Sequence, residues 1–204
     1  MKPAYLLAGG RSQRFGSNKA RVMFRGKPLV HTLADDLDRL GWQVAIVAQS
    51  AEDYADLGLR VIPDISPDAG PMAGLLAALE DCRSQGAEYC LVSNCDLVPC
   101  NSAWPSSWDW LREMEQHWSK VSADVIAFQS DDFLPLPALY ASGLYEHARK
   151  LWNEGARSLR DLHCFMHESI AKVTWPVERM PRTFNTHEEL RNILDGRSDS
   201  EKLT

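Results

Sequence analysis

Two rhythms of apolar positions alternate through the first half of the chain. Short apolar runs at Pro3 to Ala8, Gln43 to Ala48, Leu59 to Ile62 and Glu88 to Ser93 stop at glycine, proline or polar clusters, the pattern of buried parallel strands. Between them, apolar residues fall at helical spacing. Leu29, Leu33, Leu37 and Leu40 form one stripe, with Pro28 in a first turn and Gly41 just past the end. Ala51 to Leu57 reads as a short polar helix, Pro63 to Gly70 as a turn-rich loop, and Pro71 to Ser84 as a second long helix. Regular alternation of strand and helix predicts a three-layer α/β/α, Rossmann-like fold with a mostly parallel central sheet.

The second half is less regular. Asn101 to Lys120 carries Trp104, Trp108, Trp110 and Trp118 and reads as a loop followed by an amphipathic helix whose tryptophans cover the core. Strands are expected at Ala123 to Gln129 and Leu136 to Tyr140, with Asp131 and Asp132 at the turn between them. Helices at Gly143 to Glu154 and Ser158 to Met166, a strand at Ile170 to Thr174 and a helix at His187 to Leu194 complete the series. A single domain over residues 1–195 is expected, with a disordered polar tail at 196–204.

Composition narrows the function. No apolar stretch approaches the roughly 20 residues that a bilayer span requires, and the N-terminus lacks a signal-peptide core, so cytoplasmic residence is expected. A net charge of −6 argues against nucleic acid as a partner. The five cysteines are odd in number and are expected to be reduced and buried. His31, His117, His147 and His163 are scattered over helices and read as surface or internally satisfied. Within this acidic chain, residues 1–34 hold no carboxylate but carry Lys2, Arg11, Arg14, Lys19, Arg21, Arg25 and Lys27, which suggests a local field for a small polyanion.

The chemistry concentrates at Leu7-Ala8-Gly9-Gly10-Arg11-Ser12-Gln13-Arg14-Phe15-Gly16-Ser17-Asn18-Lys19, directly after the first strand. Glycines let main-chain N–H groups approach a phosphate, and the basic residues neutralise it. A Walker A loop needs Gly-Lys-Ser/Thr in succession and a dinucleotide fingerprint needs G-x-G-x-x-G; the segment fits neither. It resembles the L-A-G-G-x-S-x-R-h-G-x-x-K signature of nucleotidyltransferases with a sugar-nucleotide-transferase fold. Later segments extend the likeness: Gly26-Lys27-Pro28-Leu29, Val61-Ile62-Pro63-Asp64 with Gly70-Pro71-Met72-Ala73-Gly74, Cys95-Asp96, Gly155-Ala156-Arg157-Ser158-Leu159 and Asn185-Thr186-His187-Glu188-Glu189-Leu190. Within that superfamily the chain is most similar to the MobA-type molybdenum cofactor guanylyltransferases.

The resemblance implies transfer of GMP from GTP to the terminal phosphate of molybdopterin, with release of pyrophosphate and with Mg²⁺ as cofactor. It implies catalytic roles for Arg14, Lys19 and Asp96, with Asp96 the metal ligand. Nucleotide contacts are implied for Leu7, Ala8, Gly9, Gly10, Lys19, Asp64, Gly70 and Asp96, and acceptor contacts for Arg157 and Asn185. Guanine offers adjacent N1–H and N2–H donors that the Asp64 carboxylate can accept as a pair. The sequence departs from the family at Gln49, where asparagine is usual, at Pro99, displaced by one position after Asp96, at Leu134-Pro135 in place of histidine-proline, and at Thr183. The acceptor half is therefore the looser match. Transfer to a different phosphorylated acceptor and a non-catalytic homologue stay open on sequence alone. So does a molybdoenzyme or chaperone docking on the tryptophan-bearing face.

Overall fold

Alternate residues of the first strand enter different cores. Ala4 and Leu6 pack into one cluster of buried side chains and Tyr5 into another, as a strand covered on both faces requires. A computed structural model of the chain describes residues 2–9, 15–16, 18–66, 69–98, 108–129, 133–166, 169–174 and 182–195. The strands are β1 (Lys2–Leu7), β2 (Met23–Phe24), β3 (Lys27–Pro28), β4 (Trp42–Ala48), β5 (Arg60–Pro63), β6 (Tyr89–Asn94), β7 (Leu97–Val98), β8 (Val125–Gln129), β9 (Phe133–Ala141), β10 (Ile170–Thr174) and β11 (Arg182–Thr183). The helices are α1 (Leu29–Arg39), α2 (Pro71–Ser84), α3 (Asp109–Trp118), α4 (Tyr145–Asn153), α5 (Leu159–Phe165) and α6 (His187–Leu194). Among the described residues the central sheet has seven strands, in the order β10-β8-β9-β6-β1-β4-β5. All neighbours are parallel except at β9, which runs antiparallel to both β6 and β8.

Helices cover both faces, so the three-layer α/β expectation holds. On one face Leu29, Leu33 and Leu37 of α1, Trp110 and Met114 of α3 and Leu190 of α6 pack on Ile46, Leu91 and Ile126. On the other, α2, α4 and α5 bring Leu75, Leu79, Leu151 and Leu162 against Val47, Val92 and Ala127. Fully burying one such leucine contributes about 2 kcal/mol. Trp108 and Trp110 lie inside the first core, and the Trp108 indole N–H donates to the buried Asp36 carboxylate at 3.4 Å. They offer no docking surface. Trp104, Asp131, Asp132, Cys100 and the tail 196–204 lie outside the described residues. Cys82 and Cys90 are buried as free thiols, but Cys164 is exposed, because it falls on the outer side of α5.

Two small pairings were not legible in the periodicity. Arg25 (φ 53°) and Gly26 (φ 81°) turn β2 into β3, the two positive φ values of a type I′ hairpin, and deliver Pro28 to the start of α1. β7 pairs antiparallel with β11, Leu97 opposite Thr183 and Val98 opposite Arg182. That two-residue ladder ties the C-terminal segment to the chain just after Asp96. Among the described residues, no helix is long and apolar enough to cross a membrane.

Candidate active site

The loops that leave the carboxyl ends of β1, β4, β5 and β6 converge, and main-chain bonds fix their starts. The Ala8 amide donates to the Val47 carbonyl at 2.9 Å, that of Asp64 to Ala48 at 2.9 Å, and that of Cys95 to Leu7 at 3.3 Å. Open parallel sheets place their ligand crevice at this end, where the order of connection reverses beside the first strand. Leu7, Ala8, Gly9, Asp64 and Asp96 all stand there, and Gln49 follows β4 at the same end.

Lys19 is the centre of the charged group. Its ammonium donates to Asp96 Oδ2 at 3.1 Å and to Asn185 Oδ1 at 2.9 Å, and it lies 5.8 Å from the Phe184 ring centroid. Both charged side chains are nearly enclosed, 14% exposed for Lys19 and 15% for Asp96. Burial pushes the Asp96 carboxyl above the usual carboxylate range, and the adjacent Lys19 charge pulls it part of the way back. Three local devices hold Lys19 in place. Asn18 caps the turn Lys19–Arg21 by accepting from the Ala20 amide at 3.0 Å, and its side-chain amide donates to the Tyr54 hydroxyl at 2.9 Å. Phe15 is buried and stacks on His187 with ring centroids 3.9 Å apart, so the end of the glycine-rich loop is gripped by α6. The β7–β11 ladder carries Asn185 into reach. The side chain of Asn185, expected on the acceptor, here accepts a hydrogen bond from Lys19.

Asp64 sits over Gly9. A Cβ on Gly9 would stand 2.9 Å from Asp64 Oδ2, so any larger residue there would displace the Asp64 carboxylate from its present position. Asp64 Oδ1 accepts the Ser66 amide at 3.2 Å, and burial raises the carboxyl above its ordinary range, with the Ser66 and Ile65 amides opposing. A half-buried carboxylate with no cation beside it among the described residues is suited to a ligand that brings its own donors. The Cys95 thiol is pushed up to about 12 by burial and by Asp96 beside it, which excludes it as a nucleophile at neutral pH.

Gly70 and Gly74 are also sites of close packing. Gly70 has φ 92°, and a Cβ on it would meet the Arg157 carbonyl at 2.7 Å; a Cβ on Gly74 of α2 would stand 3.1 Å from the Leu7 side chain. The Arg157 guanidinium is spent on the end of α4. It donates to the carbonyls of Trp152 (2.9 Å) and Ala156 (2.8 Å) and lies 4.0 Å from the Trp152 ring centroid. Arg14 and Gly10 are outside the described residues. The basic N-terminal segment is not one continuous field. Lys2 pairs with Glu115 at 2.7 Å, Lys27 with Asp35 at 2.8 Å, and Arg21 makes a two-pronged contact with Asp56. Sequence proximity concealed these partners because each lies on a different element.

Beside Asp96, on the β9 side, opens a cavity of about 420 Å³. Its walls are mainly apolar, with Leu97, Phe128, Leu134 and Pro137 among them, and Asn94, Thr183 and Arg160 are polar groups on its lining. Leu134 and Thr183 were marked in the sequence as departures from the family pattern; Asn94, Phe128, Pro137 and Arg160 were not singled out. Arg160 follows the Arg157-Ser158-Leu159 motif by one residue, and its place beside a familiar arginine is the signal that could have found it.

A family model described as the MobA-like NTP transferase domain matches residues 4–169. A probable molybdenum cofactor guanylyltransferase from Opitutus terrae is 28% identical over 158 residues, 76% of this chain and 74% of that protein. One from Flavobacterium johnsoniae is 26% identical over 196 residues, covering 96% and 94%. Among solved structures, the molybdopterin-guanine dinucleotide biosynthesis protein A from Archaeoglobus fulgidus superposes with a TM-score of 0.69 at 23% identity, covering 96% of this chain and 97% of that one.

Proposed function

The chain belongs to the MobA-like NTP transferase family, and from that membership we propose that it transfers GMP from GTP to the terminal phosphate of molybdenum-molybdopterin, releasing pyrophosphate. The observation that carries the proposal is the enclosed Lys19–Asp96–Asn185 cluster at the junction between the Asp64 loop and the apolar cavity. A phosphate monoester is already ionised at neutral pH, so its oxygen can attack the α-phosphorus without a general base. What the protein has to supply is alignment and neutralisation of charge. Lys19 offers a fixed positive charge to the triphosphate and to departing pyrophosphate, a part that Arg14 shares by resemblance. The Ala8 amide is taken by the Val47 carbonyl, which leaves that of Gly9 to face the triphosphate. Asp64 accepts the two guanine donors, a pair that cytosine cannot present.

Asp96 is the residue that would hold Mg²⁺. That ion takes one or two carboxylates and fills its shell with waters and substrate phosphates, so a lone enclosed carboxylate matched by a single lysine fits a cation arriving with the triphosphate. When bound, Mg²⁺ supplies further charge neutralisation at the phosphates. Cytoplasmic residence is part of the same proposal.

Pyrophosphate release, measured with each of the four NTPs in the presence and absence of molybdopterin, tests it. Turnover with GTP alone, dependent on molybdopterin, is expected. Turnover that requires a different phosphorylated acceptor would replace the acceptor, and no turnover with any NTP would leave a nucleotide-binding homologue.

A further inference from the structure

We propose that Arg160, rather than Arg157, holds the phosphate of the acceptor at the apolar cavity; this rests on the transferase function proposed above. The two arginines stand three residues apart at the start of α5, and both are exposed. Their commitments differ. The Arg157 guanidinium donates to two main-chain carbonyls and lies against the Trp152 ring, so moving it to a ligand would uncap the end of α4. Among the described residues Arg160 makes no hydrogen bond or ion pair, and of those that line the 420 Å³ cavity it is the one cation.

The rest of that lining tells what the cation is for. Leu97, Phe128, Leu134, Leu136 and Pro137 make a largely apolar bed that favours a ligand with apolar surface. Asn94 and Leu97 bracket Cys95-Asp96, so the same cavity borders the charged cluster. A ligand filling it therefore has an apolar body and an anionic group, and that group must lie close to where the α-phosphate is attacked. A guanidinium presents forked donors that match phosphate oxygens in pairs. In a chain of net charge −6, an anionic acceptor needs such a local counter-charge.

The test compares wild type with Arg160→Ala, Arg160→Lys and Arg157→Ala in two assays. In steady-state pyrophosphate release, with each substrate varied at a saturating level of the other, Arg160→Ala is expected to raise the KM for molybdopterin about tenfold or more, the loss of one charge-assisted contact, while the KM for GTP stays unchanged. Arg160→Lys should recover most of that loss, and Arg157→Ala should leave the acceptor KM where it was. An unchanged acceptor KM in Arg160→Ala, or an equal rise for GTP, would overturn the assignment. The second assay does not depend on turnover: inorganic phosphate is titrated while the backbone amide signals of Leu134 and Leu159 are followed. Saturable shifts that weaken about tenfold in Arg160→Ala support the site. Shifts identical in both proteins, or no shifts at all, overturn it. If wild type shows no turnover with molybdopterin yet the phosphate shifts depend on Arg160, the transferase function fails and the anion site stands.

Discussion

On one side of the sheet, β5, β4, β1 and β6 run parallel, and the loops at their ends are already tied down by main-chain bonds and an enclosed lysine–aspartate pair. On the other, β9 turns antiparallel between β6 and β8, and its segment lines a mostly apolar cavity whose only cation is unpaired among the described residues. The first side is preorganised for a polyanion, whose triphosphate is the same whatever the acceptor. The second is shaped for a particular body. Charge fixed in advance belongs to the chemistry that does not vary, and charge left loose belongs to the partner that does.

The sharpest way to break this contrast is at Asp96. Asp96→Ala should lower kcat for pyrophosphate release about 10³-fold with an unchanged circular dichroism spectrum, because the group would hold Mg²⁺ at the phosphates rather than serve packing. Full activity in that variant would remove the metal assignment. Asp64→Asn exchanges one acceptor oxygen for a donor facing the base. The preference for GTP over other NTPs, as a ratio of kcat/KM values, should fall about 10²-fold while the acceptor KM stays constant. A loss spread equally over all NTPs would mean that Asp64 serves the fold alone.

Most of the triphosphate side was readable from sequence because its determinants are local. A strand, a glycine turn and a lysine lie within twenty residues, and the helix after Gly70 begins at Pro71 as its spacing predicts. The features that escaped notice depend on distant pairing. Leu97 meets Thr183 only through the β7–β11 ladder, and that ladder is what turns Asn185 toward Lys19. Likewise Arg157 carries the family motif, but its partners Trp152 and Ala156 belong to the end of α4, and no spacing rule announces that the guanidinium is occupied. The cations Lys2, Arg21 and Lys27 looked like one field for the same reason: their counter-charges come from α3, the segment at 52–57 and α1.

A smaller effect separates the two sides by pH. His163 of α5 is buried against the second core, with its Nε2 3.0 Å from the Tyr140 hydroxyl, which itself donates to the Pro135 carbonyl at 2.7 Å. Burial lowers its pKa from 6.5 to about 4. Between those values the unfolded chain binds the proton that the folded one refuses, so stability is complete above pH 6.5 and declines as pH falls toward 4. At pH 5 this amounts to about 2 kcal/mol. Thermal unfolding of His163→Leu, compared at pH 7 and pH 5, should show a shallower acid loss than wild type; an identical slope would place the acid sensitivity elsewhere. Smallest of all is Arg157→Ala, expected to cost about 1 kcal/mol through the lost helix-end contacts, read from urea unfolding.

Label transfer in a single turnover puts the central proposal to the most direct trial. With GTP labelled at the α-phosphorus, the label should pass to the molybdopterin product, and with GTP labelled at the γ-phosphorus it should leave entirely in pyrophosphate. Gamma label on the acceptor, or label released as free phosphate, would contradict nucleotidyl transfer at the Lys19–Asp96 site.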